Sequence, residues 1–170
     1  MHLFHIKNQE SFLQLIESQT QQLKELKKTE QQLTQALASK QQHLFHGYSW
    51  PIQRESQFLL DQKYAHSGEI NFRERLVCQS TQFNNRVRGA IQVFETTIKP
   101  KPCDTIYISE QHTLLYKWLK NKYTNTVGSE YMTESSFLNK LRFQLKLLPD
   151  KLNHQDLTQL SFNDNHFKYV

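Results

Sequence analysis

Apolar residues in the first quarter of the chain recur at intervals of three, four and seven positions, at Phe12, Ile16, Leu23, Leu26, Leu33 and Leu37. This spacing places them on one face of a helix. Residues 12–40 contain no Gly or Pro and are rich in Gln, Lys, Glu and Leu, which together favour helix. The pattern therefore predicts one long amphipathic helix within residues 1–45.

Gln19 and Glu30 interrupt the apolar face of this helix. A long, self-standing coiled coil needs a more continuous apolar seam. We therefore expect the helix to dock on its own domain or to pair weakly with a second copy of the chain. A solvated spacer helix is the alternative.

A small strand-rich module is predicted over residues 46–82. Gly47 and Pro51 end the preceding helix, and short apolar runs such as QFLL and RLVC then alternate with polar turns. In residues 84–95, four apolar side chains fall on one side of a predicted helix: Val87, Ala90, Ile91 and Phe94. The module and this helix together form a predicted region of residues 46–98.

The chain changes character after the stretch KPKPC, whose prolines pull the preceding lysines towards extended backbone. We place a domain boundary there and a second domain at residues 104–170. In that domain DTIYIS and NTVGSEYM read as strands, with HTLLYKWLKNKY as an amphipathic helix between them. LNKLRFQLKLL is expected to be a further helix or an irregular apolar segment, KLNHQ a weak third strand and FKYV the start of a fourth. This alternation predicts an α/β fold with a parallel sheet.

Charge does little to narrow the function. The chain has 21 Lys and Arg against 16 Asp and Glu, a net charge of +5, and three of these five excess charges lie in residues 46–103, with eight basic and five acidic side chains. Nucleic-acid binders usually concentrate charge more strongly than this. A solvated, mildly basic face is the preferred interpretation, and a nucleic-acid-binding module around residues 73–88 is the less favoured one.

The sequence indicates a cytoplasmic protein. No window approaches the roughly 18 apolar residues of a membrane-spanning helix, and the first ten residues lack the features of a secretion signal. Only two cysteines occur, Cys78 and Cys103. We therefore expect reduced thiols and no association with a membrane.

Several strings in the second half and centre of the chain resemble class I S-adenosylmethionine-dependent methyltransferases. HQDLTQLSFNDNHFKYV is similar to the segment that leads from the third to the fourth strand of that superfamily, although Lys168 stands where the family usually has Asp. Further strings of this chain resemble a bacterial branch of that superfamily, which has an N-terminal zinc-ribbon-like module. In chain order they are GYSWPI, NFRERLVCQST, FNNRVRG, IYISEQHTLLYKWL and GSEYM. The resemblance implies an incomplete Rossmann-like parallel sheet, with three strands and the start of a fourth, preceded by this module and the N-terminal helix.

The module of this chain differs from that of the bacterial branch at the positions of the metal ligands. Where the branch has two cysteine pairs, this chain has Ser49 and Ile52 for the first pair and Cys78 and Thr81 for the second. A structural zinc needs four nitrogen or sulfur ligands, so the resemblance implies a degenerate ribbon with no metal. Three histidines lie nearby but not at ligand positions: His43, His46 and His66. We expect the ribbon to be held by packing of four apolar residues, Trp50, Phe58, Leu60 and Leu76.

The resemblance also implies a cofactor site at the carboxyl ends of the first three strands. The loop after the first strand carries Glu110, Gln111 and Thr113, with amide donors expected to face the methionine carboxylate and Glu110 its ammonium group. Glu130 is expected to accept hydrogen bonds from the ribose, and Asp156 to meet the adenine amino group. The alternatives are ordinary first-turn residues for Glu110 and Gln111 and a helix cap for Asp156. No catalytic residue is assigned, because the cofactor supplies the reactivity.

These observations lead to the expectation of a truncated methyltransferase, ending near the fourth strand. Such a chain is expected to lack methyl-transfer activity and to bind S-adenosylmethionine weakly or not at all, and its methyl acceptor is not indicated. The expected partners are a complementary C-terminal chain or a second copy joined through the N-terminal helix. The main alternative is a protein-interaction module that uses the same helix.

Overall fold

The structure is a computed structural model that describes residues 7–37, 41–131 and 153–170. The chain divides into two compact units, Met1–Lys99 and Pro100–Val170, and the division lies within KPKPC. The described residues form a mixed α/β fold with four α-helices and two small sheets, one of which is a parallel pair. No helix in these ranges is long and apolar enough to cross a membrane.

The first unit opens with two helices, α1 (Gln9–Ser18) and α2 (Thr20–Leu37), where the sequence predicts one. The interruption at Gln19 has a local cause. The Ser18 hydroxyl donates to the carbonyl of Leu15 at 2.7 Å, and the Thr20 hydroxyl donates to that of Ile16 at 3.2 Å. Side-chain bonds of this kind compete with the helical ladder and bend helices.

The predicted apolar face docks only at its end. Leu37 is 1% exposed, whereas four earlier members of the face are largely exposed: Phe12, Ile16, Leu23 and Leu26. Apolar burial is the main source of helix stability in a folded protein. The first unit therefore holds α2 chiefly by its last turn.

An antiparallel sheet follows, made of β1 (Gln42–Ser49), β2 (Arg54–Asp61) and β3 (Val77–Cys78) in that order. Phe45 lies opposite Phe58, and Phe58 lies opposite Cys78. β1 begins at Gln42, inside the region assigned to the N-terminal helix. The reason is that side chains from residue 42 onward alternate between exposed and less exposed positions, the period of a strand with one covered face.

The core of the first unit lies between this sheet and α3 (Asn85–Val93). Of the four residues expected to hold the module, Phe58 and Leu60 are buried, and Trp50 and Leu76 are partly buried. Ile91 of α3 is also buried. A π-helical turn, Phe94–Ile98, follows α3.

The second unit is built on β4 (Ile106–Ile108), α4 (Leu114–Lys122) and β5 (Thr126–Gly128). The two strands pair in parallel, with Ile106 opposite Thr126 and Ile108 opposite Gly128. This confirms the parallel pairing predicted from the alternation of strand and helix patterns. α4 is the connection between the two strands, as a parallel pair requires.

Two short segments extend this pair on its outer sides. Glu130 forms a parallel bridge with His154, beside β5, and Tyr169 forms a parallel bridge with Ile106, beside β4. The spatial order is therefore residues 153–155, β5, β4 and residues 168–170, all running in one direction. The segment LNKLRFQLKLL lies outside the described residues.

Candidate functional site at the carboxyl edge of the parallel strands

The carboxyl ends of parallel strands meet at one edge of a sheet, and open α/β sheets bind ligands there. In the second unit this edge contains the loop of residues 109–113 after β4. It also contains Glu130, just after β5, and Asp156, just after the segment that bridges Glu130. The carboxylates predicted from the sequence therefore follow neighbouring parallel segments.

Glu130 binds the loop after β4. Its Oε1 accepts hydrogen bonds from the backbone N–H groups of Gln111 at 2.8 Å and His112 at 3.2 Å. Unpaired N–H groups just before a helix attract an anion, because they carry partial positive charge. In this chain the anion is Glu130 itself. The donors expected to face the methionine carboxylate are thus engaged by a side chain of the protein.

Gln111 ties the same loop to the third parallel segment. Its side chain is buried, and its Oε1 accepts a hydrogen bond from the N–H of Asn153 at 2.8 Å. The backbone of Glu130 completes the link, because its N–H donates to the carbonyl of Asn153 at 2.9 Å and its carbonyl accepts from Gln155 at 3.2 Å. Asn153 and Gln155 have no role in the sequence prediction. They lie in a weak strand pattern that carries no motif.

Gly128 allows the loop to lie close to β5. A Cβ atom at this position would lie 2.5 Å from the carbonyl oxygen of Glu110 and 2.6 Å from the ring of Tyr116. Both distances are too short for any real side chain. A glycine within a strand pattern can mark such a close approach of backbone, and this is the signal by which the residue could have been found.

Thr113 and Asp156 each accept hydrogen bonds from a residue two or three positions further along the chain. The Thr113 hydroxyl accepts a hydrogen bond from the N–H of Tyr116 at 3.1 Å and so begins α4. Oδ1 of Asp156 accepts from the hydroxyl of Thr158 at 2.7 Å and from its N–H at 2.8 Å. These two bonds, the hydroxyl first, lower the pKa of Asp156. Both residues thus have a structural role, and Glu110 is exposed to solvent.

A second polar cluster lies in the first unit, around the thiol of Cys78. Its sulfur lies 3.5 Å from the Ser49 hydroxyl and 3.3 Å from the Ser56 hydroxyl. Ser49 and Cys78 are both fully buried. Burial by itself raises the pKa of Cys78, but hydrogen bonds with Ser49, Ser56 and Thr81 outweigh it and bring the pKa to about 7. Three of the four positions expected from the resemblance to be degenerate zinc-ligand positions are thus neighbours in space.

The two turns that carry those positions share a backbone feature. Gln53 follows Ile52 with φ of 51°, and Gln82 follows Thr81 with φ of 61°. Both are left-handed conformations, which turn the chain sharply. The residues at these positions do not fit zinc, because hydroxyl and aliphatic groups are not among its protein ligands. Within the described ranges, no group of three or more His, Cys, Asp or Glu side chains could hold a metal ion.

Comparison with known proteins gave no match: no family model, curated protein or solved structure is similar to this chain at a significant level. The function is therefore argued from the geometry of the two units.

Proposed function

We propose that the second unit is the cofactor-binding part of a Rossmann-like, S-adenosylmethionine-dependent methyltransferase domain, preceded by a degenerate zinc-ribbon-like module. The observation that carries this proposal is the order of the four parallel segments. Numbered along the chain, the segment at 153–155 is third, β5 second, β4 first and the segment at 168–170 fourth. The resulting order, 3-2-1-4, is that of the first four strands of the Rossmann fold.

The carboxylates at the edge fit the adenosine half of the cofactor. The hydrogen bonds given above use Oε1 of Glu130 and Oδ1 of Asp156. A carboxylate has two oxygens and accepts up to about four hydrogen bonds. Each of the two side chains therefore retains acceptor capacity for a ribose hydroxyl or an adenine amino group.

The methionine half of S-adenosylmethionine fits this edge of the sheet less well than the adenosine half. Its carboxylate needs the N–H groups of Gln111 and His112, which Glu130 already binds. Binding of the whole cofactor therefore requires Glu130 to release these donors, which opposes binding. We expect weak affinity for this reason.

S-adenosylmethionine supplies an activated methyl group on a sulfonium when it is bound. The residues of this chain bind and orient the cofactor: Glu110 faces its ammonium, Glu130 its ribose, and Asp156 its adenine. Thr113 begins the helix whose amino end lies at the loop. The identity of the methyl acceptor is not part of the proposal.

The proposal is tested by titrating the full chain with S-adenosylmethionine and following the backbone amide signals by NMR. We expect shifts confined to the signals of residues 109–113, 128–131 and 153–156, with a dissociation constant weaker than about 1 μM. Isothermal titration should give no strong heat in the micromolar range. Shifts spread over the first unit, or none at millimolar cofactor, would contradict the proposal.

Glu130→Gln and Glu110→Gln form a matched pair for this experiment. Glutamine at 130 binds the loop N–H groups less strongly, because hydrogen bonds to a charged acceptor are roughly twice as strong as neutral ones. It also removes a charge that repels the methionine carboxylate. We expect Glu130→Gln to bind S-adenosylhomocysteine as well as or better than the parent chain, and Glu110→Gln to bind it more weakly.

The exposed apolar face of α1 and α2 favours a second role, self-association through these helices. The residues that carry it are Phe12, Leu13, Ile16, Leu23 and Leu26, all more than 40% exposed. Sedimentation analysis of the chain and of a Leu23→Glu, Leu26→Glu variant tests this role. A concentration-dependent dimer that the variant abolishes is the expected result. We also propose a cytoplasmic location, since both thiols are unpaired.

The arginines of the mildly basic region do not favour nucleic-acid binding. Arg86 pairs with Glu74 at 3.0 Å, and Arg75 pairs with Asp61. Arg73 approaches Glu74 at 3.8 Å. Two carboxylates of the first unit, Asp61 and Glu74, thus offset about half of the charge of these four arginines, and Arg88 is in none of the three pairs.

A further inference from the structure

A cavity of about 410 Å³ lies within the first unit, between α2, α3 and the hairpin of β1 and β2. Its volume is in the range of small-molecule sites, roughly 300 to 1,000 Å³. Four aromatic side chains and two residues of α3 are among its lining residues: Phe45, Tyr48, Trp50, Phe58, Arg88 and Gly89. The cavity therefore brings aromatic residues and a guanidinium together.

Arg88 is the charged group of this cavity. Its guanidinium lies 4.1 Å from the centre of the Phe58 ring, and one of its terminal nitrogens donates to Oδ1 of Asn85 at 3.0 Å. Its Nε is buried and has no hydrogen-bond partner among the described residues. Burial lowers the pKa of Arg88, but a guanidinium remains protonated in proteins. Arg88 as a whole is half-buried, and an anion that binds a partly desolvated cation offsets the cost of its burial.

The aromatic residues contribute apolar surface to the cavity, because their polar atoms are already used. The hydroxyl of Tyr48 donates to Oε1 of Gln53 at 2.7 Å, and the indole N–H of Trp50 donates to Oε2 of Glu95 at 2.7 Å. No Asp or Glu is among the residues that line the cavity. A ligand would therefore meet the guanidinium of Arg88 beside aromatic residues, together with the polar residues His46, Asn85 and Gln92.

Gly89 keeps the cavity open at α3. A Cβ atom at this position would have no neighbour within 4 Å. Glycine inside a helix is unfavourable relative to alanine, and here no crowding requires it. A side chain at position 89 would extend into space that the cavity now holds.

We propose that this cavity binds a small planar aromatic ring that carries one anionic group, with the anion on the guanidinium of Arg88 and the ring among the aromatic side chains. Aromatic surface and a charge-assisted hydrogen bond are the two features that fix such a ligand. The proposal concerns the first unit alone and does not depend on the methyltransferase proposal.

Cinnamate and its neutral amide, cinnamamide, are suitable probes, since they share a planar frame and differ in charge. Binding to the full chain is measured by ligand-detected NMR and by isothermal titration. We expect cinnamate to bind at least roughly tenfold more tightly than cinnamamide, the effect of a hydrogen bond to a charged group. Phenyl phosphate, included as a third probe, shows whether the anion is better supplied by a phosphate. Equal binding of acid and amide, or no binding of any probe, would overturn the proposal.

Three variants locate the site. Gly89→Leu fills the cavity from an open position and should abolish cinnamate binding, whereas Gly89→Ala should retain it. Arg88→Gln should remove the preference for the acid over the amide. Thermal unfolding of Gly89→Leu controls for its fold, and cinnamate binding that persists unchanged in a folded Gly89→Leu would place the ligand elsewhere and refute the proposal.

Discussion

Each unit of this protein brings polar groups from separate turns into one cluster, but the two clusters differ in what they retain. Around Cys78, hydroxyls surround a single thiol, and the cluster does not offer the four nitrogen or sulfur donors that a structural zinc needs. Around Glu130, the carboxylates are present, and one of them binds the loop donors. The first cluster groups hydroxyls around one thiol, while in the second a carboxylate of the chain binds the backbone donors of a neighbouring loop.

In both clusters the backbone brings together polar residues that are distant in the sequence. Left-handed residues, turns and ladder hydrogen bonds place positions 49, 78 and 81 together whatever their side chains are. Hydrogen bonding then satisfies the polar groups that are buried there, as burial demands. At the carboxyl edge, Glu130 is the hydrogen-bond acceptor for the backbone N–H groups of Gln111 and His112. The predictions below test each cluster against the other.

The largest effect is expected from restoring cysteines in the first cluster. If positions 49, 52, 78 and 81 have ribbon geometry, the Ser49→Cys, Ile52→Cys, Thr81→Cys variant should bind zinc with a free energy on the order of 10 kcal/mol. Its thermal midpoint should then rise with added zinc. Cobalt substitution with absorption spectroscopy checks for tetrahedral thiolate coordination.

The matched control for that variant is Ser56→Cys, which places a thiol beside Cys78 at a position outside the two turns. It should bind zinc far more weakly. Equal zinc affinity in the two variants, or none in the triple variant, would remove the zinc-ribbon interpretation of the first unit.

Gly128→Ala should destabilise the second unit by about 3 kcal/mol, because the new Cβ would overlap the Glu110 carbonyl and the Tyr116 ring. Gly89→Ala is the matched control, since its Cβ meets nothing within 4 Å. That variant should be more stable by about 0.5 to 1 kcal/mol, the helix preference for alanine. Urea unfolding and amide exchange measure both changes. Similar stability of the two variants would disprove the close approach at Gly128.

Asp61→Asn should cost the first unit about 2 kcal/mol, because it leaves the buried guanidinium of Arg75 without a charged partner. Burial raises the pKa of Asp61, but hydrogen bonds and the charge of Arg75 outweigh this and hold the pKa below its ordinary value of 3.8. Stability from the pair is therefore present above that pH and is lost as pH falls through the lower, folded value.

Urea unfolding of the parent chain and Asp61→Asn at neutral and acid pH measures this effect. The difference between them should shrink as the pH falls below about 3.8, because protonated aspartic acid resembles asparagine. A difference that stays constant into strong acid would show that the ion pair is not its source.

Glu130→Ala should cost about 1 kcal/mol, since it leaves the N–H groups of Gln111 and His112 without their acceptor. Glu110→Ala, at an exposed position of the same loop, should change stability by less than about 0.5 kcal/mol. Faster amide exchange at Gln111 and His112 in Glu130→Ala alone is the local signature. Equal exchange in both variants would contradict the role given to Glu130.

The sequence predicted the elements with strong local signals. The strand patterns around Tyr107 and Val127, with the amphipathic helix between them, indicated a parallel pair, and that pair is present. Asn84 begins α3 as its capping residue, one position before the helix and at the start of the predicted span. These features were predictable because periodicity and capping act within a few residues.

The carboxyl-edge cluster was predicted only in part. Glu130 and Gln111 were named from a resemblance, but their mutual hydrogen bond joins residues 19 positions apart. Nothing in the local pattern signals that a carboxylate will take up the donors of another loop. The roles of Asn153 and Gln155 likewise depend on pairing with a distant segment.

By itself, the sequence determined the strand–helix–strand pattern of the parallel pair, most of the helical segments that the structure describes, and that carboxylates follow neighbouring strands. Tertiary structure alone decided that β1 begins at Gln42, that α2 docks at Leu37, that hydroxyls gather around Cys78, that the guanidinium of Arg88 lies against the Phe58 ring, and that Glu130 binds the loop after β4. The physical reason is the distance along the chain over which each interaction acts. Backbone preference and side-chain periodicity are local, whereas burial and hydrogen-bond satisfaction depend on which distant groups the fold brings together.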